Sequence, residues 1–110
     1  MRRVIIESPY AGNVELNLRY LRTCMRDCLM RGEAPFASHA FYTQIGVLQD
    51  NIPEERTLGI QAGFAWCDVA DTTVVYEDLG RSRGMDQGIE NAIINGRTVE
   101  YRSLGRKWDQ

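Results

Sequence analysis

Asp86 and Glu90 are two carboxylates four residues apart, beside the apolar positions Met85, Ile89, Ala92 and Ile93. That apolar spacing predicts a helix, with both acids on one side of its stripe, facing a cleft or water. Paired carboxylates suit chemistry at a sugar anomeric carbon: one attacks or stabilises a cationic sugar, the other moves a proton. Two solvated helix acids would show the same spacing. A second set opens the chain. Ser8, Pro9, Tyr10 and Gly12 combine a hydroxyl, a ring for stacking and a point of close backbone approach, as a ribose or phosphate with a planar base would use. A third set, Asp78, Ser82, Gly84 and Met85, leads from a β-branched run into a helix N-terminus. Free N–H groups there suit an anion. His39 is the one imidazole and is divided between ligand contact and a structural hydrogen bond. Tyr42 lies beside it; as a residue type, it packs more often than it reacts. The three cysteines, Cys24, Cys28 and Cys67, read as reduced structural thiols. With one histidine, a zinc site of usual composition would need a carboxylate or a partner chain. Neither metal nor cofactor is expected.

The elements that must position these residues follow from periodicity. Val4, Ile5 and Ile6 are continuous apolar residues, as in a parallel strand covered on both faces, so residues 3–8 form strand one and Pro9 stops it. Asn13 caps a helix over 14–31, and Gly32 ends it. Residues 33–38 form a short strand, which Pro35 places at an edge. Residues 43–51 have no clear period and read as a loop or lid. Pro53 opens a helix to residue 70, with Leu58, Ala62, Ala65, Trp66 and Val69 as its stripe and Trp66 in the core. Gly59 and Gly63 permit close approach of another backbone, either the sheet or a second subunit. Strand three covers 72–77, helix three runs to residue 95, and strand four covers 98–103. The tail, polar except for Leu104 and Trp108, frays or docks on a neighbour.

The pattern β-α-β-α-β-α-β predicts a single three-layer α/β domain over residues 1–110, flavodoxin- or Rossmann-like. Its parallel four-stranded sheet has the expected order 2-1-3-4, with helices on both faces. The switch point then lies between strands one and three. There the loop after Ser8 meets the loop from Asp78 to Asp86, outside the carboxyl ends of the strands.

Composition narrows the partners. The chain has 110 residues, is 44% hydrophobic and carries a net charge of −2. Duplex nucleic acid is not expected as a partner. The small basic clusters Arg81/Arg83 and Arg102/Arg106/Lys107 read as solvated surface. The chain lacks a run of about 18 apolar residues that would span a membrane. The apolar run after Arg3 stops at Glu7, too short for a signal peptide. The cytoplasm is the expected location.

With these residues placed, the chain resembles the nucleoside 2-deoxyribosyltransferase-like superfamily, nearest its small bacterial and phage members grouped as a domain of unknown function. The resemblance covers about residues 3–103. Its carriers are the run from Val4 to Gly12, Ala34-Pro35-Phe36-Ala37-Ser38-His39, Pro53-Glu54-Glu55-Arg56, and Ser82-Arg83-Gly84-Met85 leading to Gly88-Ile89-Glu90 and Ala92. It implies a small-molecule nucleoside or nucleotide partner, and a homo-oligomer whose sites borrow residues from a neighbour. It also implies hydrolase or transferase chemistry at the N-glycosidic bond of 2′-deoxynucleosides or their 5′-monophosphates, with a glutamate on the helix after strand three as nucleophile. Aligned on the motif, that glutamate falls at Gly88. Asp86 or Glu90 would have to supply the carboxylate, and Glu90 is rotated from position 88 by roughly 200°. Three expectations follow: an enzyme acting on the N-glycosidic bond, a protein that holds a nucleotide signal unchanged, or an assembly protein that keeps only the fold.

Overall fold

The computed structural model describes residues 1–109. In chain order the elements are β1 (Arg2–Glu7), α1 (Val14–Met30), β2 (Glu33–Phe36), α2 (Ser38–Phe41), α3 (Pro53–Cys67), β3 (Thr72–Tyr76), α4 (Arg83–Ile94) and β4 (Thr98–Arg102). The four strands form one parallel sheet in the order β2-β1-β3-β4. β1 and β3 are therefore neighbours, with Val4 opposite Thr72 and Glu7 opposite Val75. Both central strands are apolar because both of their faces are covered. Val4, Ile6, Val74 and Tyr76 pack with Tyr20, Leu21, Cys24 and Cys28 of α1. Val75 points the other way, to Met85 and Ile89 of α4. The alternation of Val74, Val75 and Tyr76 is the two-residue period of a strand. This is the α/β architecture that the spacing predicts.

The caps are also those the sequence suggests. The Asn13 side chain accepts from the Leu16 N–H (3.2 Å) to start α1, and Pro53 opens α3. The tail docks on its own chain. Trp108 lies edge-on to Tyr20 with ring centroids 4.9 Å apart, and the N–H groups of Leu104 and Gly105 donate to the Asp78 carboxylate.

Two expectations need correction. First, β2 ends at Phe36, and Ser38–Phe41 forms a one-turn helix that the sequence reading placed in strand and loop. Second, Trp66 is 53% exposed, and Leu58 and Val69 are also exposed. α3 turns Gly63 and Cys67 inward instead. A Cβ at position 63 would lie 2.6 Å from the Ser38 hydroxyl, so this face accepts only a glycine where α2 crosses it. The close approach expected at the glycine pair is made, but by α2. Trp66 packs partly on Phe36 at 5.7 Å and donates from Nε1 to the Tyr42 hydroxyl (2.8 Å). Among the described residues, no helix is long and apolar enough to cross a membrane.

Candidate functional site

A cleft of about 210 Å³ opens at the carboxyl ends of β1 and β3. Its floor is Glu7 and Ser8, where β1 runs out. One wall is the start of α4, from Ser82 to Gly88; the other is α3, with Arg56, Gly59, Ile60 and Phe64. Tyr10 follows the floor, and α2 with the segment after it brings His39, Tyr42, Leu48 and Asp50. The segment 43–51 is tied down. The Arg56 guanidinium pairs with Asp50 (3.0 Å), and the Gln49 N–H donates to Glu55 (2.9 Å).

Each polar group on this surface has a physical reason to be there. Ser8 is buried, and its Oγ lies 2.9 Å from His39 Nε2. Burial pushes the His39 imidazole down to about 4, so it is neutral at pH 7. Ser82 is the N-cap of α4, with its Oγ accepting from the Met85 N–H (3.2 Å). That cap leaves the first N–H groups of α4 at the positive end of the helix dipole, on the cleft wall. Glu7 projects over α4 at Gly88. A Cβ at position 88 would overlap the Glu7 carboxyl group, so the glycine makes the space in which it sits. Glu7 has no hydrogen-bonding or ion-pair partner among the described residues. Burial raises it to about 8, with the charge on Arg97 opposing only in part.

Of the residues singled out from sequence, Ser8, Tyr10, His39, Tyr42, Ser82, Gly84 and Met85 share this cleft. The others are elsewhere. Pro9 is buried beside the floor, and Gly12 is exposed, with φ +95° serving the turn into α1. Asp78 is committed to structure. It accepts from the Tyr20 hydroxyl (2.5 Å), the Ser103 hydroxyl (2.7 Å) and the backbone of the tail. Asp86 faces solvent and pairs with Arg81 (2.9 Å). Glu90 is exposed further along α4, beside Ile60 and Phe64 in a separate shallow groove. The rotation of α4 that buries Met85, Gly88 and Ile89 carries both acids away from the cleft. No group of three or more His, Cys, Asp or Glu is placed to hold a metal ion among the described residues.

Residues 2–102 match a family described as a domain of unknown function, DUF7768. The chain belongs to that family. No curated protein matches it. Among solved structures, it is similar to a 2-deoxyribosyltransferase from Bacillus psychrosaccharolyticus, with a TM-score of 0.71 and 18% identity over 92% of this chain and 72% of that one. The likeness is one of fold, and it agrees with the α/β architecture read from the sequence.

The residue that sequence reasoning missed in this DUF7768 chain is Glu7. It served only as the end of an apolar run. Its signal was available: an acid that closes the apolar run of a parallel strand lies at the strand's carboxyl end, where α/β folds bind ligands. Arg56 and Asp50 were missed because the fold of segment 43–51 depends on their pairing, which no periodicity reveals.

Proposed function

We propose that residues 1–110 act as one domain that binds a nucleoside or mononucleotide in this cleft and opens or exchanges its N-glycosidic bond. The observation that carries the reading is the division of the cleft surface. Ser8, His39 and the α4 N-terminus give donors and acceptors for sugar hydroxyls or a phosphate. Tyr10, Tyr42, Leu48, Ile60 and Phe64 give flat or apolar surface for a base. At about 210 Å³, the cleft is below the roughly 300–1,000 Å³ of drug-sized sites and suits one nucleoside unit, not a dinucleotide. The fold shared with a 2-deoxyribosyltransferase supports the same ligand class. A homo-oligomer remains part of the proposal, and the exposed Leu58 and Trp66 on α3, with Val69 just after it, support it.

The test is a panel of 2′-deoxynucleosides and their 5′-monophosphates, scored by melting temperature and by mass spectrometry of bound and free fractions. A true ligand at ~100 times its dissociation constant adds ~2.7 kcal/mol, a shift of many degrees in a domain of this size. A panel without any shift overturns the reading. A second reading, binding without turnover, is favoured by the glycine at position 88 and by the placement of Asp86 and Glu90 outside the cleft. It predicts a shift with the ligand recovered intact.

A further inference from the structure

We infer that Glu7 is the proton donor to the leaving base in this cleft, an inference that rests on the nucleoside reading above. The argument begins from what each cleft acid is already doing. Asp50 is paired with Arg56, and Glu55 accepts the Gln49 N–H. Among the described residues, Glu7 is the remaining carboxyl on the cleft surface, and no donor or cation engages it. Arg97 is the cation that acts on it through space. That guanidinium is held elsewhere, by the Thr73 hydroxyl (3.2 Å), the Cys67 carbonyl (3.2 Å) and the Asn91 side chain (2.9 Å).

Position supports the same role. Glu7 is the last residue of β1, so the central strand holds its backbone rigidly. Its carboxyl group fills the space left by the missing side chain of Gly88 and lines the same cleft as the Ser8–His39 pair. A carboxyl shielded from water and left without a partner keeps its proton at neutral pH, the state a general acid needs.

The step balances with water as the one co-reactant. Glu7 gives its proton to the base nitrogen as the C–N bond breaks, and the bonding pair leaves with the base. The sugar carbon becomes cationic, facing the carboxylate just formed. Water adds to that carbon through oxygen, and its proton returns to Glu7. The products are free base and the free sugar or its 5′-phosphate, with no change of oxidation state.

The experiment compares wild type with Glu7→Gln on the 2′-deoxynucleosides and 5′-monophosphates of the panel. It reads base release by chromatography and binding by melting-temperature shift in the same samples. Glu7→Gln keeps the shape and removes the acid, so base release falls by roughly 10²–10⁴-fold while the ligand-induced shift remains. A second variant, Glu7→Ala, leaves a void against Gly88 that formic acid can enter. Added formate then restores part of the lost rate, which a purely structural role would not allow. Unchanged base release in Glu7→Gln overturns the inference, as does loss of release in Asp86→Asn or Glu90→Gln alone. A wild type that binds ligand but releases no base also overturns it and leaves the binding reading intact. Absence of binding across the panel removes that reading, and the inference with it.

Discussion

Glu33 begins β2 and Glu7 ends the neighbouring β1, yet the two carboxyl groups meet opposite surroundings. Glu33 is buried, and both of its oxygens are engaged. Arg102 donates to Oε1 (2.8 Å) and Oε2 (2.7 Å), and Arg2 adds a third contact at 2.6 Å. Arg102 is itself buried and also donates to the Tyr76 hydroxyl (3.2 Å). The Arg102 guanidinium, with Arg2 behind it, holds Glu33 down to about 2. Glu7 shares the sheet and meets no arginine directly, so burial alone dominates and raises it to about 8. One side chain is locked as an anion and ties β2 to β4. The other is held neutral and open to a cleft. The difference lies in the partners that answer burial: a buried charge is structural when each oxygen is satisfied, and a buried acid without partners is available for proton transfer.

The largest break in this contrast comes from Glu33→Ala. It leaves the buried Arg102 with only the longer, part-exposed contact to Glu100 (3.3 Å) as a carboxylate partner and costs about 3 kcal/mol, read by urea denaturation. A loss under about 1 kcal/mol would mean that the network is not what secures the strands.

Glu7→Gln acts in the opposite direction. Folding raises this acid from an ordinary 4.5 to about 8, so the folded chain holds a proton that the unfolded chain has released. The stability tied to that proton is fully present below about pH 4.5 and is lost as pH rises through about 8. Above pH 8, Glu7→Gln is therefore more stable than wild type, by about 1–3 kcal/mol once access of water to the cleft is allowed for. Equal melting temperatures of the two proteins at pH 9 would remove the contrast with Glu33.

His39 sharpens the comparison from the acid side. Folding lowers it from 6.5 to about 4, so its contribution is present above about pH 6.5 and is lost as pH falls through about 4. At pH 5, wild type loses about 1–2 kcal/mol relative to pH 7 from this group, and His39→Gln flattens that limb. Melting curves at the two pH values measure it, and an unchanged slope would count against a neutral buried imidazole.

The smallest effect is at the other wall of the cleft. Ser82→Ala removes the cap of α4 and costs about 1 kcal/mol, with ligand-induced stabilisation reduced alongside it. A variant that loses neither would detach the α4 N-terminus from the site.

The architecture was legible because its signals are local. Val4 to Ile6 and Thr72 to Tyr76 are unbroken apolar or β-branched runs, Asn13 and Ser82 are cap residues, and Gly32 and Gly96 are stops. Short connections between such elements leave few topologies. That much the chain determined by itself: the alternation of strand and helix, the sheet order, and the meeting of the Ser8 and Ser82 loops at one edge. Tertiary structure alone decided which cleft acid is left unpaired. Asp86 and Glu90 satisfy a spacing rule, but the rotation of α4 is set by burial of Met85, Gly88 and Ile89, and it turns them to solvent. The same packing placed Trp66 outside, because α2 crosses α3 at Gly63. Glu7 became the cleft's free acid through a glycine 81 positions away in sequence, since only close packing of β1 against α4 brings that missing side chain to it.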